Sequence, residues 1–282
     1  METTVLGVIL GLLLFIAPLY LFQAYALRFS GKMVKAVVTM LVKYGVLGGV
    51  LYTLFLCDSL ILNVVFCIAM IATTAIVTVA KAHISLRSGL VPVLAGATVA
   101  VVIVGSWLLF AVMQLGTEVS VAQLVPVAGL ICGAILEIES KALSFYYMGL
   151  RNHNEMYSYF LANGATSYEA LFYFRKRALE RVATHWLSFM SASVLSSTPF
   201  VLWAMLLAGA SVLTAVTMQI VLVGAAFCAS MCSVAVALAV ASRYSMDGYG
   251  RLIQDAAAKT SVSTQPDTAA SPYIEQENQD AE

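Results

Sequence analysis

The sequence predicts an all-α fold, a polytopic membrane helix bundle of about seven spans. Three observations lead there. The 282 residues are 61% hydrophobic and only 11% charged, whereas soluble domains carry about 25% charged residues. The mean hydropathy is +0.91. The apolar runs are long and lack strand-length alternation, which favours helices over a barrel.

A span takes about 20 apolar residues. Such runs lie near 4–27, 37–56, 60–82, 90–115, 121–142, 187–209 and 212–241. The first is too long for the apolar part of a cleavable leader, and Met1-Glu2 puts no basic residue before it.

Basic residues set the orientation. Arg28, Lys32 and Lys35 follow the first run, and Lys81 and Arg87 the third. Lys141, Arg151, Arg175, Lys176, Arg177 and Arg181 follow the fifth, and Arg243 and Arg251 the last. The alternate loops hold Asp58 and Glu118, or no charge near Gly209-Ala210. By the positive-inside rule the N-terminus is outside and the C-terminus cytosolic. The outer connections are too short for a receptor or enzyme domain. Residues 1–245 therefore form the transmembrane domain and 246–282 a tail. From Thr260 onward the tail has five acidic residues and no basic one, a composition that predicts disorder. Zero net charge gives no long-range pull on nucleic acid.

One polar, helix-compatible segment interrupts the apolar runs, Arg151 to His185, between the fifth and sixth spans. Tyr157, Phe160 and Leu161 form one short apolar stripe. Leu171, Phe174, Ala178, Leu179 and Val182 form another, so the segment reads as two helices. Asn163-Gly164 is a helix stop, because glycine takes the left-handed conformation at low cost. Thr166 and Glu169 have the spacing of a capping box. Gly164-Ala165-Thr166 is then a tight cytosolic elbow. With small side chains there, it suits either a plain surface hairpin or entry into a partner's groove.

Ionisable residues inside spans point to function by default. Lys43 lies shallow enough to snorkel to the interface. Glu137 and Lys141 have the acid-first i,i+4 order of a helix ion pair, and Glu139 sits beside them. These carboxylates read as an interfacial group or as oxygen ligands at the mouth of a cation path. Five cysteines are present, mostly in apolar runs where they serve as small hydrophobes. Cys228 and Cys232 share a helix face, and with Met218 they are the candidates for a soft-metal site.

Several classes lack their signatures. There is no G-x-x-x-x-G-K-[ST], no H-E-x-x-H and no G-x-S-x-G. The last span carries no lysine for a retinal Schiff base. A seven-helix receptor or signalling protein shares the topology and stays open as an alternative.

Val125-Pro126-Val127-Ala128-Gly129-Leu130-Ile131-Cys132-Gly133 is similar to the I-P-I-A-G-M-I-x-G stretch of the iron-export ABC-transporter permeases typified by FetB. Glu155 followed by Gly164-Ala165-Thr166 and Ala170 resembles that family's E…L-x-x-G-A-T-x-x-x-A, and Pro199, Gly209 and Gln219 its later P…G…Q-I pattern. Phe200-Val201-Leu202 stand where the family has Gly-Met-Met. The motifs cover residues 121–245, and 1–120 match in hydropathy.

The resemblance implies a multi-pass permease of the bacterial plasma (inner) membrane that exports a metal ion, iron, with an ABC permease for a non-metal substrate as the alternative. It implies a permease homodimer in the lipid bilayer, two copies of a separate ATPase subunit, and no cofactor in this chain. Glu155, Gly164, Ala165, Thr166, Glu169 and Ala170 would couple to the ATPase. Pro126, Glu137, Glu139, Pro199 and Gln219 would border the translocation path.

Overall fold

The computed structural model describes residues 30–57, 59–112, 121–192 and 199–244, together with Leu13, Phe15, Ile16 and Tyr20. The first expected span lies almost wholly outside these residues, as do Asp58, Glu118 and the acidic tail.

The described residues form helices and the turns between them. They are α1 Ser30–Cys57, α2 Leu60–Lys81, α3 Leu86–Trp107, α4 Val121–Asn152, α5 Asn154–Ala162, α6 Ser167–Ala192, α7 Phe200–Leu207 and α8 Val212–Tyr244. A wide π-helical turn, Leu108–Val112, extends α3. Five helices among the described residues are long and apolar enough to cross a membrane, within α1, α2, α3, α4 and α8. They coincide with the second to fifth runs and the last.

Two pieces of the 187–209 run are described. The polar helix α6 starts at Ser167 and continues to Ala192. No proline or glycine interrupts it, so nothing stops it at the polar-to-apolar change. Farther on, Phe200–Leu207 forms the short helix α7, and 193–198 lie outside the described residues.

Helices α3 and α8 pack most extensively, and small side chains explain it. Ala226, Ala229, Ser230, Ser233, Ala237 and Ala241 of α8 recur at three- and four-residue spacing and are all buried. Gly96 of α3 faces this row. A Cβ there would stand 2.5 Å from the Ser233 carbonyl oxygen, so only glycine lets the backbones approach so closely. Small residues give membrane helices their contact in this way, because lipid offers no hydrophobic drive to associate.

Helices α2, α4 and α6 complete the body. Ala75 and Val79, Leu143, Tyr146 and Leu150, and Leu171, Phe174 and Ala178 share one buried cluster. Helix α1 stands apart. It exposes nearly every described side chain, Lys43 included, and buries only Leu54.

Three helix ends share one geometry. After α2, α5 and α7 the chain turns through a left-handed residue: His83 (φ 56°), Gly164 (φ 86°) and Gly209 (φ 91°). In each, two backbone bonds close the helix end, Ile84 to Val79 and His83 to Ala80, Ala165 to Phe160 and Gly164 to Leu161, Ala210 to Met205 and Gly209 to Leu206. This Schellman pattern satisfies carbonyls that the helix itself leaves open.

Candidate functional site

The elbow between α5 and α6 forms as the residue types predict. Gly164 stops α5, and Thr166 starts α6. The Thr166 backbone N–H donates to Glu169 Oε2 at 2.8 Å, and the Glu169 N–H donates back to Thr166 Oγ1 at 3.4 Å. The Thr166 hydroxyl adds a 2.8 Å bond to the same carboxylate oxygen. These bonds, the backbone donor first, hold the Glu169 carboxyl below its ordinary value. Ala170 is buried beneath the turn and bonds back to the Thr166 carbonyl. Gly164, Thr166 and Glu169 are exposed, and Glu155 is exposed in the first turn of α5. Open space surrounds the position of a Gly164 Cβ. The result is a stiff, small-featured, exposed tip at the head of a long helix.

The neighbouring carboxylates on α4 separate. Glu137 points outward and pairs with Lys141 at 2.7 Å, both side chains about two-thirds exposed at 67% and 65%. Glu139 is 0% exposed. Its Oε2 accepts a 2.9 Å hydrogen bond from Ser233 of α8. Its Oε1 has no hydrogen-bond partner among the described residues. Of the two, Glu139 alone has the placement of an oxygen ligand inside the bundle. Two residues along a helix turn by about 200°, so adjacent acids need not share a face.

Pro199 and Gln219 come together. Pro199 precedes α7 and has no side-chain oxygen to cap it. The Gln219 side chain supplies that oxygen from α8, accepting from the Leu202 backbone N–H at 3.2 Å. Leu202 is the third residue of α7, where a capping side chain would normally bond. Pro126 lies exposed within α4, apart from this latch.

Cys228 is exposed and Cys232 and Met218 half-buried along α8. Among the described residues no group of three or more His, Cys, Asp or Glu side chains could hold a metal ion.

Sequence reasoning missed two partners of Glu139's surroundings, Ser233 and Gly96. The recurrent small residues of the last span were the available signal. It also missed the arginine–aromatic stacks of α6. Arg175 lies 4.1 Å over Tyr168, Arg177 5.2 Å over Tyr173, and Arg181 4.9 Å over Phe145.

The family model described as "Uncharacterised protein family (UPF0014)" matches residues 5–246. Neither a curated protein nor a solved structure matches the chain. The multi-pass helical body and this match over nearly its whole length agree: the chain belongs to UPF0014, a family of ABC-transporter permease-like membrane proteins.

Proposed function

We propose that this chain is the membrane permease subunit of an ABC transporter, driven by a separate ATPase subunit that grips the Gly164–Glu169 elbow. The observation that carries this is the elbow itself. It is exposed, fixed by bonds on both sides, and continuous with α6 through Ala192. Helix α6 packs on α4 and α8, so motion of the elbow reaches helices that cross the bilayer.

In this reading, ATP closes a pair of ATPase subunits in the cytosol. Each carries one elbow of a permease homodimer, and the cavity between the two permeases switches the side to which it opens. The substrate is a metal ion, with iron export following from the FetB resemblance. Glu139 is the carboxylate placed to meet a cation within the bundle. The membrane is a bacterial plasma membrane.

The test compares Gly164→Trp with Gly209→Trp. Both glycines have positive φ and open space around them, so both variants strain the backbone alike. Co-purification with the proposed ATPase subunit, and stimulation of its activity, should be lost in Gly164→Trp and kept in Gly209→Trp. Equal association and stimulation in both variants would refute docking at the elbow.

A further inference from the structure

A cleft of about 320 Å³ opens where α4 ends, α5 begins and α6 passes. Five groups on its walls can donate hydrogen bonds: the Arg177 guanidinium, the Tyr146 and Tyr173 hydroxyls, and the side chains of Asn152 and His153. No acidic residue lines it.

Tyr146 is 1% exposed, and its hydroxyl has no hydrogen-bond partner among the described residues. A buried hydroxyl without a partner is costly, so a ligand acceptor at this place would relieve it. The exposed Arg177 has its guanidinium carbon 5.2 Å from the ring centroid of Tyr173, another wall residue. Arg181 is stacked on Phe145, also of the wall. Among the described residues, neither arginine forms an ion pair with a carboxylate. The site therefore offers donors and positive charge, and no acid among the described residues neutralises them.

Depth decides the kind of anion. The apolar run of α4 ends near residue 142. At 1.5 Å per residue, Phe145 and Met148 on the cleft wall stand about 5–9 Å beyond that end, at the level of the headgroup layer. The remaining wall is apolar, with Met148 and Phe174 beneath the polar rim. Basic clusters at this depth attract acidic headgroups.

We propose that this cleft binds the phosphate headgroup of an acidic phospholipid. The Arg177 fork takes the phosphate oxygens, as guanidinium geometry favours. The Tyr146 hydroxyl donates a further bond, and the glycerol end rests on the apolar wall. The bound lipid ties the end of α4 to α6, and so fixes the base of the α5–α6 hairpin.

Native mass spectrometry of the full chain, released from bilayers of mixed phosphatidylglycerol and phosphatidylcholine, tests this. The wild type should retain phosphatidylglycerol in preference. Arg177→Gln should weaken that retention about tenfold or more, the loss of one charge-assisted hydrogen bond. Tyr146→Phe keeps the packed ring and removes only the hydroxyl, so it should weaken retention without lowering the unfolding temperature in lipid-free detergent. Inorganic phosphate at millimolar levels should not replace the lipid. Equal retention of both lipids by the wild type, or unchanged retention in both variants, overturns the proposal. Stabilisation by inorganic phosphate as large as that by phosphatidylglycerol, lost in Arg177→Gln, overturns the lipid source in favour of a soluble phosphate compound.

Discussion

The Ser233 hydroxyl donates a 2.9 Å hydrogen bond to Glu139 across 94 residues of sequence, and both side chains are fully buried. This is the one hydrogen bond that Glu139 receives from the described residues, since its other oxygen has no partner. Ser233→Ala should therefore destabilise the fold by about 1–3 kcal/mol, the cost of stranding a buried polar group. Glu139→Gln keeps an acceptor for Ser233 and should cost less than Ser233→Ala. Glu137→Gln breaks only an exposed ion pair and should stay within about 1 kcal/mol of the wild type. Thermal unfolding of the purified protein in detergent ranks the three. In transport, the order should change: Glu139→Gln abolishes cation movement with the protein still inserted, and Glu137→Gln does not.

Gln219→Leu should loosen α7. The Leu202 N–H would lose the acceptor that Pro199 cannot replace. The cost of such a lost cap is about 1 kcal/mol, confined to one short helix. Hydrogen exchange should show faster exchange in Phe200–Leu207 and unchanged exchange in α3 and α4.

The elbow should weaken in acid. Bonds from Thr166 hold the Glu169 carboxyl below its ordinary value of 4.5. A group whose folded value is depressed stabilises the fold above its unfolded value, and that contribution is lost as pH falls through the folded value. Protection of the amides of residues 166–169 should accordingly fall on acidification below about 4.5. Glu169→Gln should show weaker protection at neutral pH and little further change in acid. A steady protection in the wild type down to pH 2 would contradict the role given to this carboxylate.

His83→Gly should stabilise the α2–α3 turn. His83 holds φ 56°, a conformation that costs a residue with a side chain about 1–2 kcal/mol. The two comparable turns use glycine. The melting temperature of His83→Gly should therefore rise by a few degrees, and that of Gly209→Ala should fall.

The local rules of the elbow were legible in the sequence because they act over a handful of residues. Gly164 and the Thr166–Glu169 pair specify their own geometry. The apolar runs likewise marked α2, α3 and α8. Two features escaped. Glu137 and Glu139 looked like one acidic group, and only the rotation of α4 against its neighbours turns one outward and one inward. The helix boundary at the start of the sixth run also escaped, because hydropathy changes near His185 while α6 runs on through Ala192. Pairing of Gln219 with α7, and of Ser233 with Glu139, depends on how helices far apart in sequence cross. No periodicity within one run encodes that.

Helix α6 has a mechanical consequence. Its 26 residues make a rod about 39 Å long. With the contacts on α4 and α8, centred near Ala178, as a fulcrum, the far end lies about 20 Å away and a tilt of about five degrees displaces it by roughly 2 Å. In the proposed coupling, such a rod carries a push at Thr166 to the Ala192 end as a displacement of similar size and opposite direction. The bend at Gly164 must then resist bending, because any give there would be subtracted from the stroke.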